Sequence, residues 1–188
     1  MSIFIGFLPF VLSFVLRIFL SARLALAVSA GVGLVALGRQ FMSGTPKSLS
    51  LLAPLLIGAA FLLALRWPRF AERGAGFLVS GGLAAFVLGG IALGHPFSLE
   101  WAREASPPAI WNEPAFLNAN LVISLAWGLG FALLATISLP LEAMPGRRVR
   151  SLVAACVMTA AALFTSWYPV HVRETARQAA ISQLQTAP

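Results

Sequence analysis

Residues able to do chemistry are scarce in this chain, and they gather in one stretch, Gly94 to Trp127. It holds three of the six acidic residues, one of the two histidines and three of the five tryptophans. His95 with Glu100 or Glu104 offers an acid–base pair. Arg103 can bind phosphate or carboxylate, and Asn118 can hydrogen-bond from a helix mouth. Two histidines, one cysteine and no aspartate make a metal or nucleophile constellation hard to assemble. No HExxH, CxxC, GxSxG or Walker pattern occurs. No catalytic residue, metal ligand or cofactor is therefore assigned, and the expectation is a protein that is not an enzyme. Cys156 stands alone in an apolar run, where a small buried hydrophobe is expected. His171, just past Pro169, is expected to be a solvated interface residue.

The elements that must position this stretch are apolar. Of 188 residues, 59% are hydrophobic and only 10% charged, with a mean hydropathy of +0.88. A soluble domain needs more charge than that to cover its surface, so composition selects a polytopic membrane protein. Lys47 is the only lysine, and the net charge of +7 comes almost wholly from arginine. Because the arginines sit at the ends of apolar runs, they fit headgroups and the positive-inside rule; no nucleic-acid partner is expected.

Six apolar runs can be drawn: Ile3 to about Leu20, Ala22 to Gly38, Leu49 to Leu65, Ala75 to Gly94, Phe116 to Leu141 and Ser151 to Tyr168. The fold class predicted is all-α, a transmembrane helical bundle of about six spans. It drops to five if the first two runs form a re-entrant hairpin, since the second is short against the roughly 20 residues a span needs. The N-terminus lacks the features of a removable signal peptide, so the first run is expected to be retained. Pro9 should kink that run, and Arg17 should snorkel from it to the interface. Glu142, Pro145 and Gly146 are expected to close the fifth run. Residues 1–169 form the membrane domain, and 170–188 a polar tail that lies on the surface or frays, with Val172, Ala176, Ala180 and Leu184 in a four-residue series. The odd-numbered connections carry eight basic residues and the opposite side five. The first set is expected in the cytoplasm, with both termini and the 95–115 loop facing outward.

Small residues at four-residue spacing let helix backbones approach, which is how apolar helices associate in lipid. Such series are Ala25, Ser29, Gly33; Gly81, Ala85, Gly89; Ser124, Gly128, Ala132, Thr136; and Ser151, Ala155, Thr159. Packing within one bundle is their expected role. In the 95–115 loop, Phe97 to Glu104 suits a short amphipathic helix with Ser98 as N-cap. Leu99, Trp101 and Ala102 would lie on the bilayer, and Glu100 would pair with Arg103 one turn on. Pro107-Pro108 should stop it, and Trp111 should mark the return to the membrane.

Three readings of the loop compete: an interfacial strap anchored by its tryptophans, a site for a lipid headgroup or partner segment, and catalysis by His95 with a glutamate. The binding reading names Glu100, Trp101, Arg103, Glu104, Trp111 and Asn118. Its partners would be membrane lipids and a membrane protein or second copy of the chain. A small transporter or channel for an uncharged or amphipathic solute is the alternative, and it requires a continuous polar-lined cavity between spans. Ion pumping lacks the midplane ionisable residues it needs.

Phe7-Leu8-Pro9-Phe10 opening the first span, a short second span, and a Pro-containing loop followed by Trp111, then Asn118 or Asn120, then Trp127 form a pattern. It resembles the intracellular septation protein A (YciB-type) family of small bacterial inner-membrane proteins. That resemblance implies a non-enzymatic multi-pass protein of the bacterial inner membrane, acting in septation or cell-envelope maintenance through partners, or as an accessory subunit. It carries over no catalytic residues.

Overall fold

The computed structural model describes residues 2–44, 47–139 and 146–186. The described chain is an all-α bundle. Its helices are α1 (Ser2–Phe19), α2 (Ala22–Met42), α3 (Ser48–Arg66), α4 (Pro68–Arg73), α5 (Ala75–Ala92), α6 (Leu99–Glu104), α7 (Pro114–Ile137) and α8 (Arg147–Thr186). A short 3-10 turn, Pro108–Ile110, precedes α7. Among the described residues, five helices are long and apolar enough to cross a membrane: α2, α3, α5, α7 and residues Arg148–Thr175 of α8.

The N-terminal pair differs from expectation. The second helix is 21 residues long and reaches Met42, about 32 Å at 1.5 Å per residue, enough to span. The first is the shorter, with an apolar stretch of Phe7–Phe19. It is also deeply embedded. Phe7, Phe10, Phe14 and Arg17 recur every three or four residues, so they share one face, and all four are buried. Helix α1 meets α2, α3 and α8, and Phe7 lies flat on Trp127 of α7, ring centroids 4.1 Å apart.

Antiparallel neighbours alternate through the bundle. The start of α1, the α2–α3 turn, the strap of residues 95–113 and the C-terminal half of α8 share one end. The α1–α2 connection, α4 and the start of α8 share the other. Helix α8 does not stop at Pro169 but runs through it for 40 residues in all. Proline there leaves the Thr165 carbonyl without its helical donor, yet the chain stays helical.

Small-residue packing holds for α2, where Ala25, Ser29 and Gly33 are buried and a Cβ on Gly33 would sit 3.4 Å from the Pro54 backbone nitrogen. It holds for Ser124 and Gly128, whose helix α7 forms the most extensive pair with α5. In α5 it holds for Gly81, where a Cβ would meet the Ala135 Cβ of α7 at 3.9 Å, and fails for Ala85 and Gly89: Ala85 is exposed and Gly89 faces open space. Helix α5 otherwise packs through Val79, Ser80, Leu83, Ala84 and Val87. Four-residue spacing marks a stripe on a helix, and says nothing of which way the stripe faces. Cys156 likewise is exposed, not buried. The close of the fifth run at Glu142 and Pro145, and the side chains of Ala176, Ala180 and Leu184, lie outside the described residues.

Candidate functional site

The strap begins where α5 ends. Gly94 adopts φ +77°, a left-handed conformation that glycine takes without penalty, and His95 N–H donates to the Gly90 carbonyl at 2.8 Å. The chain turns under the bundle at once, so Phe97, Ser98, Leu99 and Trp101 are buried. This corrects the expectation that Leu99 and Trp101 lie on the bilayer. Phe97 makes an edge contact with Phe7 at 5.7 Å. The strap therefore has an apolar face that enters the protein core.

Ser98 holds the N-cap position of α6 but makes no cap bond. Its hydroxyl donates to the Asn120 carbonyl and Oδ1 region, at 2.9 and 3.0 Å, and accepts from Ser124 Oγ at 3.0 Å. Asn120 Nδ2 in turn donates to the Phe116 carbonyl at 2.9 Å. These three polar side chains satisfy one another in an apolar setting, which fixes strap against α7.

The charged residues of the strap reach across to α3. Lys47 Nζ contacts the Glu104 carboxylate, donates to the Glu100 carbonyl at 3.1 Å, and sits 5.6 Å from the Trp101 ring centroid. Glu100 Oε2 accepts the Ser48 backbone N–H at 3.0 Å, so a carboxylate from another element caps the first turn of α3. Glu100 does not pair with Arg103 as expected. Arg103 lies over the Trp111 ring at 5.7 Å, and Trp111 Nε1 donates to the Ser106 carbonyl at 3.1 Å.

Of the six residues predicted to bind, Glu100, Trp101 and Glu104 are thus brought together by Lys47, Arg103 and Trp111 form a second pair, and Asn118 points away, exposed. Sequence reasoning missed Lys47, Ser98 as a bridge, and Asn120. Asn120 was present among the polar residues of the first turns of α7, but only the helix's orientation distinguishes it from Asn118. His95 is exposed and bonds neither glutamate among the described residues. Nor do three metal-ligating side chains gather anywhere among them.

A cavity of about 500 Å³ opens between strap, α7 and α8. Trp101, Phe116, Ile123 and Val172 give it apolar wall, while Glu113 and Arg173 supply charge. A second groove of about 450 Å³, lined by Phe7, Trp127 and Met158, lies along α1 and α8. Trp127 Nε1 donates to Thr165 Oγ1 at 2.8 Å; Trp127 lines the second groove and Thr165 the first.

The opposite end carries its own polar contact. Arg17, expected to snorkel outward, is only 6% exposed. Its Nη2 donates to the Glu72 carbonyl at 3.4 Å, and Arg150 Nη2 donates to the same oxygen at 2.9 Å. That carbonyl belongs to the last turn of α4, where helix carbonyls lack partners and attract cations.

Helices of this length and apolarity, with polar side chains gathered at the two ends, define an integral, multi-pass membrane protein. No family model matches the chain, and no curated protein or solved structure matches it.

Proposed function

We propose that this is a membrane-embedded binding protein, without catalytic machinery of its own, that holds an amphipathic membrane component in the groove between strap, α7 and α8. The observation that carries the reading is the groove: most polar groups of the strap are spent on the fold, yet a cavity of about 500 Å³ with apolar wall and charged rim stays open beside it. The partner is a lipid, or the apolar flank of another membrane protein. A bacterial inner-membrane setting with a role in envelope maintenance, or as an accessory subunit, is the context the family resemblance supports.

Filling the groove tests this. Ala119→Trp places an indole in the cavity wall. Native mass spectrometry of wild type and variant, extracted with their own lipids, should show a bound component lost from the variant. An identical set of bound species would overturn the reading. The alternative, passage of an amphipathic solute, draws support from one contact, since the Trp127–Thr165 bond joins a residue lining one groove to a residue lining the other. It predicts flux of such a solute into proteoliposomes that rises in Thr165→Ala.

A further inference from the structure

We propose that the groove selects a phospholipid whose headgroup carries both a phosphate and a primary ammonium, with Arg173 on the phosphate and Glu113 on the ammonium; this rests on the groove being a ligand site. Both residues line the cavity, from different walls. Glu113 holds the N-cap position of α7, yet its side chain makes no cap hydrogen bond. Neither it nor Arg173 has an ion pair among the described residues. They are the two charged residues that line the cavity, whereas Lys47 is held by Glu104 and Arg103 lies over Trp111. The cavity thus brings one anion and one cation, neither in an ion pair among the described residues, onto the same space.

Location agrees with a headgroup. Trp111, Trp167 and Tyr168 sit at this end, where aromatic side chains mark the membrane boundary. Phe116, Ile123 and Val172 provide apolar wall for the upper part of the acyl chains. Trp101 adds a further match: it lines the cavity, is 5% exposed, and its Nε1–H has no hydrogen-bond partner among the described residues. A small tilt of the indole would offer that donor to a phosphate or ester oxygen, which are acceptors only.

The chemistry separates headgroups. A carboxylate accepts hydrogen bonds from a primary ammonium, whereas a quaternary ammonium has no N–H to give and favours aromatic faces. An anionic headgroup with a glycerol in place of the amine satisfies Arg173 but offers Glu113 only neutral hydroxyl donors, weaker than an ammonium. Glu113 is accordingly the discriminating residue, and Arg173 the one that holds any phospholipid.

The test uses the full chain in nanodiscs of equal phosphatidylethanolamine, phosphatidylcholine and phosphatidylglycerol, released and weighed by native mass spectrometry. Wild type should retain phosphatidylethanolamine about tenfold over either competitor, the ratio for roughly one charge-assisted hydrogen bond. Glu113→Gln should bring the three to near parity, and Arg173→Gln should lower retention of all of them. Both positions are exposed, and unchanged thermal unfolding verifies that the variants fold. Retention that Ala119→Trp abolishes, but without headgroup preference in wild type, overturns the selection and leaves the groove standing. Preference for phosphatidylglycerol, or a phosphatidylethanolamine preference that Glu113→Gln leaves intact, overturns it too. Retention unaffected by Ala119→Trp overturns both readings.

Discussion

The two ends of the bundle solve the same problem with different chemistry. At the strap end, five basic residues face four glutamates, a net charge of +1; at the other, among the residues whose side chains are described, six arginines face one glutamate, a net charge of +5. The strap end can therefore neutralise itself, and does so across long sequence separations, with Lys47 meeting the Glu100 carbonyl and the Glu104 carboxylate. The arginine-rich end turns to backbone: Arg17 and Arg150 share the Glu72 carbonyl. One end is cross-linked by charge pairing and a serine–asparagine relay. The other keeps an excess of positive charge, which suits contact with anionic headgroups. A balanced end can be carved into a selective groove, because single unpaired charges stand out against it. A uniformly cationic end cannot.

The comparison can be broken most forcefully at its centre. Trp127→Ala removes the stack on Phe7 and the bond to Thr165, and should cost about 3–5 kcal/mol in thermal unfolding in detergent. Trp127→Phe, which retains the stack, should cost nearer 1 kcal/mol, roughly one hydrogen bond. A similar loss for both would mean that the bond to Thr165, not the stack on Phe7, carries the site. Next, Lys47→Met should destabilise by about 1–2 kcal/mol, since it leaves the partly buried Glu100 carbonyl without the Lys47 donor, while exposed Glu104 adds little. Proteolysis within residues 95–113 should accelerate with it; a strap as resistant as wild type would contradict the cross-link.

Neighbouring asparagines sharpen the picture. Asn120→Ala removes the Oδ1 acceptor of Ser98 and the Nδ2 bond to Phe116 but keeps the Asn120 carbonyl, and should cost about 1 kcal/mol, whereas Asn118→Ala should stay within about 0.5 kcal/mol. Equal effects would refute the relay. The smallest effect belongs to the cationic end, where Arg150→Met should cost under about 1 kcal/mol, because Arg17 still serves the Glu72 carbonyl. If Arg150→Met proves worse than Lys47→Met, the ranking of the two ends is inverted.

Particular residues show how far the sequence reaches. The helices, their apolar character and the polar strap follow from runs of hydrophobic residues interrupted by Gly, Pro and charge, since an unpaired backbone is not tolerated in hydrocarbon. Even the position of Ser98 at the start of α6 is legible. Its partners are not: capping is local and visible in sequence, while a hydroxyl's bond to Asn120 depends on how two helices rotate against each other. The same holds for Glu100, whose local partner Arg103 lost to the N–H of Ser48. Arg17 and Cys156 exchanged their expected environments for one reason. The long helices are apolar nearly all round, so no stripe tells buried face from lipid face.

Sequence alone thus determined that this chain lies in a membrane as helices, and where its polar residues fall along the chain, because hydropathy and backbone hydrogen bonding act over a few turns. Tertiary structure decided which polar groups are consumed by one another and which, Glu113 and Arg173, are left over a cavity. That choice is made by helix rotation and close packing between segments far apart in the chain, and no local rule contains it.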